Sequence, residues 1–420
     1  VSERPLRHNR DFRLLWIGQA LSALGSTMSS VALPLLVLLA TGSPVKAGIV
    51  ALAGSLPFVL LQLPAGAYVD RLNRRTVMLT CDTGRAIAAG SVAAALVMGE
   101  LHFTHLVIVA AIDATLAVPF QLAESAALRR IVNDERQLST AIALNQARTY
   151  STELAGQPLG GLLFGIRNFL PFVAEAIAYV GSLITVLALR TPLPAPERTQ
   201  APHLLREMKE GFIWFWRRPF LRWTALFVSA SDFVINGLFL LLVVIAQRNG
   251  TSEVEIGIML ALGGAGGVLG SIVAPLVQKR VKSMRLIVAG VAWLGAPMVA
   301  ALALTSNYLS MGVLLGLTLS VWPVWNAVIM ARWLVLIPDE LMGRVQSAAL
   351  LVVGAPVPIA GLTAAFLYES IGAAGTLLVF AGIMLAVAIS ATFNKSVRDA
   401  SAPIDADRPM AKTAVLQKKP

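Results

Sequence analysis

The sequence predicts an all-α membrane protein with twelve transmembrane helices in two pseudo-symmetric six-helix bundles. Three observations lead there. Of 420 residues, 56 % are hydrophobic and only 14 % charged, against roughly 25 % charged in an ordinary globular chain; the mean hydropathy is +0.73. Twelve segments reach the length of about 20 mostly apolar residues that a membrane helix needs. The basic residues fall almost entirely in alternate gaps between those segments. A net charge of +11 does not indicate nucleic acid, because the cations are not gathered on one soluble face. The single cysteine, Cys81, excludes a disulfide framework and a multi-cysteine metal site.

The spans in the first half cover 14–39, 46–69, 76–98, 104–127, 140–165 and 169–189. Those in the second half cover 220–246, 254–278, 286–304, 308–331, 346–368 and 373–393. Arg4, Arg7, Arg10 and Arg13 precede an apolar run too long for a signal-peptide core, so the first span is expected to remain uncleaved. With the N-terminus inside and every span crossing once, 29 of the 34 Lys and Arg face the cytoplasm. Only Lys46, Arg167 and Arg248 lie outside, and Arg85 and Arg148 lie within spans. The positive-inside rule therefore puts both termini in the cytoplasm.

These limits give a first bundle over 1–189, a cytoplasmic connector over 190–219, a second bundle over 220–393 and a cytoplasmic tail over 394–420. The connector opens with Pro192, Pro194, Pro196 and Pro202, which favour extended chain. It closes from His203 to Arg218 as an amphipathic interfacial helix carrying Trp214 and Trp216. The polar tail is expected to be disordered. The halves echo each other: Asp134-Glu135 and Asp339-Glu340, Phe12 and Phe220, and Gly48-Ile49 and Gly257-Ile258 recur at offsets of 205 to 209 residues. Duplicated bundles of this kind are expected of secondary transporters.

The loop after the second span runs from Gly66 through Asp70, Arg71 and Asn73 to Arg74 and Arg75. It resembles the G-x-x-x-D-R-x-G-R-R/K signature of the major facilitator superfamily, with Asn73 at a position where that family has glycine. The resemblance implies a cytoplasmic latch formed by Gly66, Asp70, Arg71 and Arg75; the alternative is a plain basic loop. The stretch from Ala123 to Asn145 and that from Ile337 to Ser347 are similar to the enterobactin-exporter and macrolide-efflux branch. In the second half, Pro275 to Arg280 has lost the glycine and aspartate of the first loop. Gly156, Gln157, Pro158, Gly160 and Gly161 are similar to the G-P-x-x-G-G motif of drug antiporters, with the proline displaced by one residue. Physically, such glycines allow close helix packing and the proline bends the span.

Ionisable groups inside a bilayer are costly and hence functional candidates. Asp82, Arg85 and Glu124 are expected near the cytoplasmic ends, in loop ion pairs, and Glu175 near the outer end. Asp113, Arg148, Glu153 and Asp232 lie deepest. At 1.5 Å per residue, Glu153 is about 20 Å and Asp232 roughly 18 Å into their helices. Gln146, Thr149, Glu153 and Gln157 share one face of the fifth span, with Asn145, Arg148 and Thr152 beside them. So wide a polar sector is expected to line a central cavity. Desolvation makes a carboxylate easier to protonate, so Glu153 and Asp232, then Asp113, are the expected proton-coupling groups. Arg148 is expected as an anion-binding group or counter-ion; the alternative is a structural Arg148–Asp113 pair. Ser26, Asn236, Trp322, Trp325 and Asn326 are expected to complete the cavity, although helix packing would also explain them.

The expected activity is proton-coupled efflux of a small amphipathic compound across a bacterial cytoplasmic membrane. Resemblance points to an antibiotic, siderophore or related metabolite as cargo. Proton-coupled import and a non-transporting receptor are the alternatives. No G-x-x-x-x-G-K-[ST] loop and no H-E-x-x-H occurs, which argues against direct ATP drive and metal-dependent hydrolysis. No cofactor or metal is expected; His102 and His105 lack further ligands nearby. The expected partners are the small-molecule substrate, protons and the lipid bilayer, and the chain is expected to act as a monomer.

Overall fold

The computed structural model describes residues 6–69, 72–132, 134–193, 204–280, 284–338 and 341–399. The first half contains α1 (Arg10–Thr41), α2 (Pro44–Val69), α3 (Arg74–Met98), α4 (Phe103–Ile131), α5 (Glu135–Ile166) and α6 (Leu170–Leu187). After the connector helix α7 (Leu204–Trp216) come α8 (Pro219–Arg248), α9 (Glu253–Arg280), α10 (Met284–Ala301), α11 (Tyr308–Leu336), α12 (Met342–Gly354), α13 (Val357–Phe393) and the short α14 (Lys395–Asp399). Local chemistry sets several ends. Asn9, Asn73 and Asn307 accept backbone N–H bonds at the starts of α1, α3 and α11, relieving donors that a helix start leaves unpaired.

Nine helices among the described residues are long and apolar enough to cross a membrane. The three other expected spans have visible reasons for falling outside that set. Helix α5 is diluted by its own polar stripe, and α10 contributes only a shorter apolar stretch, Ala289–Leu304, whose end tightens into a 3-10 turn at Leu302–Leu304. The long run Arg344–Phe393 holds the last two spans together. Gly372, at φ +74°, bends that run within α13, a conformation open to glycine. The span expected to run unbroken over 346–368 is instead interrupted between α12 and α13 at Ala355 and Pro356. Proline supplies no N–H to continue the ladder.

Packing repeats along the chain. In the first half α1 lies on α5 and α6, α2 on α4, and α3 on α4 and α6. In the second, α8 lies on α12 and α13, α9 on α11, and α10 on α11 and α13. Mapping α1 to α8, and so on in order, carries one set onto the other. The halves join where α5 meets α9 and where α2 meets α13. The α2 contact falls on the stretch of α13 before Gly372, where Gly48 meets Gly361 and Leu362; with that stretch counted with α12 as the counterpart of α5, the map exchanges the two contacts, as a twofold-related interface requires.

The core shows where the halves part. One buried cluster draws on both halves, joining Val31, Leu35 and Phe164 to Leu238, Leu241 and Met311. The two other clusters are each confined to one half: Phe12, Met78 and Phe120 in the first, Phe215, Trp325 and Trp333 in the second. The halves are thus fused at the end bearing the α1–α2, α5–α6 and α8–α9 turns. At this end the Arg248 guanidinium also donates to the Gly42 carbonyl at 2.9 Å. Towards the end bearing α7, a groove opens between α5 and α9, lined by Tyr150, Ser151, Leu154, Val268, Ser271 and Ile272.

Candidate functional site

Helices α1 and α6 approach closely because Gly25 lacks a side chain; a Cβ there would lie 2.8 Å from the Ala178 Cβ and 3.0 Å from the Glu175 Cα. The approach brings Ser26 Oγ within 2.9 Å of the Tyr179 hydroxyl. Tyr179 is fully buried, at 0 % exposure, and its hydroxyl is 3.0 Å from Asp113 Oδ1 and 3.1 Å from Glu175 Oε1. Arg85, from α3, makes a forked pair with Asp113 of α4: Nε to Oδ1 at 2.8 Å and Nη2 to Oδ2 at 3.2 Å. Its Nη2 also donates to Ser26 Oγ at 3.3 Å, and the guanidinium lies 4.3 Å from the Tyr179 ring centroid.

Counting hydrogens defines what this cluster can do. A phenol has one proton to donate, yet Tyr179 faces two carboxylates and a serine oxygen. Ser26 cannot make up the shortfall, because its hydroxyl donates to the Ser22 carbonyl at 2.9 Å. With both carboxylates ionised, at least one would face the phenol oxygen with no hydrogen between them, and a single guanidinium would serve two negative charges. A proton on one carboxyl would supply the hydrogen missing between the phenol and the two carboxyl groups. Asp113 and Glu175 also border a cavity of about 280 Å³, together with Ser29, Ser30, Leu33 and Val50, roomy enough for water.

This arrangement corrects the expected pairings. Arg148 does not meet Asp113; its Nη1 lies 3.2 Å from Glu124 Oε1 on α4, and both side chains are nearly buried. A neutralised, enclosed Arg148 cannot serve as an open anion-binding group on the cavity wall. Arg85 stands midway along α3, not near its end, and Glu175, in the second turn of α6, joins it in the buried cluster. Asp82 is 0 % exposed, with Ser182 of α6 beside its carboxylate. Arg85, Tyr179 and Glu175 were not singled out as a unit by the sequence; Glu175 and Tyr179 stand four apart on one helix, the one signal that could have linked them.

The remaining expected residues divide between cleft and core. On α5, Gly156 and Gly160 pack against Thr27 and Met28 of α1, while Gln157 and Gly161 pack against Gly257 of α9. Glu153 lies between these two faces by helical angle and is exposed, as is Gln146, with Asn145 and Thr149 half-buried nearby. These side chains therefore look into the crevice between α1 and α9. The Gln157 Oε1 is buried with no hydrogen-bond partner among the described residues. Pro158 stands inside α5, between the contacts at Gly156 and Gly160. On α8, Asp232 is half-buried and Asn236 exposed, its amide donating to the Asp232 carbonyl at 2.8 Å. Asn326 is exposed and Trp322 half-buried. Trp325, expected on the cavity wall, is instead 1 % exposed within the second-half core, edge-on to Trp322 at 5.4 Å. Its bulk fills space between helices and offers no face to a ligand.

Of the expected latch, Asp70 and Arg71 lie outside the described residues, and Gly66 falls within α2. The Arg75 guanidinium donates to the Leu187 carbonyl at the end of α6, a bond within the first half. Another contact, unforeseen in the sequence, joins the connector to the second half. Arg344 of α12 lies 3.3 Å from Glu210 of α7, and Gly211 sits against the Arg344 backbone.

An all-helical, internally repeated fold with scarce buried ions and a crevice between its halves defines a class: a multi-pass membrane transporter, not an enzyme. The chain belongs to the Major Facilitator Superfamily, whose family model matches residues 15–361. It is 25 % identical over 397 residues to macrolide efflux protein A of Streptococcus pyogenes, covering 92 % of this chain and 96 % of that protein. It is 28 % identical over 406 residues to the multidrug efflux pump Tap of Mycolicibacterium fortuitum, with the same coverage of 92 % and 96 %. Among solved structures, the nucleoside transporter NupG superposes with a TM-score of 0.76 at 12 % identity, covering 91 % of this chain and 98 % of that one. A bacterial homologue of the iron transporter ferroportin, in an inward-facing state, superposes with a TM-score of 0.69 at 15 % identity, covering 96 % and 100 %. These superpositions concern the fold alone.

Proposed function

We propose that the protein expels small amphipathic compounds from a bacterial cytoplasm in exchange for protons, by alternately opening the crevice between its halves to either side. The observation that carries this reading is the hydrogen count at Tyr179, which leaves a place for one exchangeable proton between Asp113 and Glu175. Gaining or losing it changes the cluster's net charge by one unit in a poorly solvated interior, where charge interactions are strong. A proton that binds the two arrangements unequally can then bias which end is open. The exposed Glu153, Gln146, Asn236 and Asn326, with Trp322 and Asp232 behind them, give the crevice the mixed polar and apolar lining that an amphipathic ligand needs. Two efflux relatives that align along more than nine-tenths of both chains support the outward direction. The Lys/Arg asymmetry supports cytoplasmic termini, and a monomer is the proposed working unit.

The test uses the full chain in inverted membrane vesicles, with ethidium and a panel of antibiotics as probes and a protonophore as control. Parent protein is expected to accumulate probes in a protonophore-sensitive manner. Asp113→Asn with Glu175→Gln is expected to bind probe but lose proton-driven accumulation. Undiminished, protonophore-sensitive accumulation in that double variant would overturn the assignment.

A further inference from the structure

Away from this cluster, α3 and α4 part beside the Arg-rich loop and leave a pocket of about 440 Å³ lined by Arg74, Leu122, Ser125, Ala126, Arg129 and Arg130. Three guanidinium groups and a hydroxyl converge there, and no lining residue is acidic. Among the described residues none of the three arginines has an ion pair or a side-chain hydrogen bond, and the buried Nε of Arg74 lacks an acceptor. The pocket therefore concentrates positive charge with no counter-ion among the described residues.

Its shape says more than its charge. Leu122, Ser125, Ala126, Arg129 and Arg130 recur at helical spacing and form one stripe along α4. The stripe runs from cations at the helix end to an apolar side chain about 12 Å deeper, eight residues away at 1.5 Å each. Phosphate, ester and acyl chain follow one another in that order in a phospholipid. We infer that this pocket holds the phosphodiester of an anionic phospholipid. Arg74, Arg129 and Arg130 grip the phosphate oxygens, which a planar guanidinium can engage in pairs. Ser125 donates below them, and the acyl chain lies on Ala126 and Leu122. Basic pockets between membrane helices take such headgroups. Inorganic phosphate would satisfy the cations but leave the apolar half of the pocket empty.

The purified full chain in neutral detergent is titrated with phosphatidylglycerol, phosphatidylcholine or inorganic phosphate, and followed by thermal melting and native mass spectrometry. Phosphatidylglycerol is expected to raise the melting temperature and persist as a one-to-one adduct; the other two are not. Arg129→Gln with Arg130→Gln should weaken phosphatidylglycerol binding by about tenfold or more, since charge-assisted bonds to phosphate are lost. The corresponding double Lys variant should retain part of the affinity. Arg217→Gln, which removes an exposed cation outside the pocket, should bind like the parent. Equal stabilisation by phosphatidylcholine, full reproduction of the effect by inorganic phosphate, or undiminished phosphatidylglycerol binding in the double Gln variant would each overturn the inference.

Discussion

Gly161→Ala tests whether the halves separate at their glycine-lined end. A Cβ at 161 would lie 3.0 Å from the Gly257 Cα and 3.1 Å from its nitrogen, with the Glu253 carbonyl oxygen closer still. Carbon atoms pack favourably at about 3.5–4.0 Å, and the opposing atoms are backbone, with no side chain to swing aside. Helices α5 and α9 must then move apart by roughly half an ångström or more. Overpacking of this kind costs about 1–3 kcal/mol. The cost falls only on the arrangement in which α5 and α9 touch here, so it should move population to the other arrangement by about 5- to 150-fold. Gly160→Ala is the matched control. Its Cβ would meet the Met28 Cα at 2.8 Å, inside the first half, so it should lower stability in both arrangements without favouring either. Spin labels at Ser43→Cys and Glu369→Cys report the closed end, where the native side chains lie 3.5 Å apart; Cys81 is buried and stays unlabelled. The long-distance component in double electron–electron resonance should grow in Gly161→Ala and not in Gly160→Ala. An unchanged distribution in Gly161→Ala would refute the reasoning.

Four further outcomes are expected. Arg85→Met strips Asp113 of its cation and should cost about 3–5 kcal/mol, as breaking a buried pair does; adding Asp113→Asn should restore most of the lost melting temperature, whereas additive losses would uncouple the two residues. Trp333→Phe removes the buried Nε1 donor 3.0 Å from Thr224 Oγ1 and should cost about 1–3 kcal/mol in thermal melts. Gly211→Val should undock α7, because even a Cβ would lie 2.7 Å from the Arg344 carbonyl carbon; faster limited proteolysis of the connector reports it. Glu210→Gln, which weakens the exposed ion pair with Arg344, should change the melting temperature little, as surface pairs contribute about 1 kcal/mol or less.

The helices were legible because lipid solvation imposes a length and a polarity on each span. Their ends were less so: α4 runs on to Ile131 past the expected 127, since a helix can continue through Arg129 and Arg130 after its apolar run stops. The depth of Arg85 was misjudged for a different reason: α3 begins at Arg74, within two residues of the expected start, and Arg85 stands about 16 Å along it, too deep for a loop ion pair. The stripe on α5 was legible from spacing within one helix. Partners across helices were not. Whether Asp113 meets Arg85 or Arg148 depends on which faces of α3, α4 and α5 turn together, and periodicity within each helix is silent on that.

The buried cluster also breaks the internal symmetry, and its position explains how it could matter at a distance. At offsets of 205 to 209, the residues matching Arg85, Asp113 and Glu175 fall within 290–294, 318–322 and 380–384, none of which contains an ionisable side chain. The second half therefore has no counterpart of this cluster at the matching positions, although both halves carry the closing surfaces. The link between the two is α1. Ser26 touches Tyr179 and Arg85, and two residues further on Met28 meets Gly160, beside the Gly161 contact with α9. Rearranging hydrogen bonds at Ser26 thus acts on a helix already packed against the hinge of the closed end. Such a contiguous chain of packed groups is a physical route for coupling, and a second ionic cluster in the other half would not be needed to drive it.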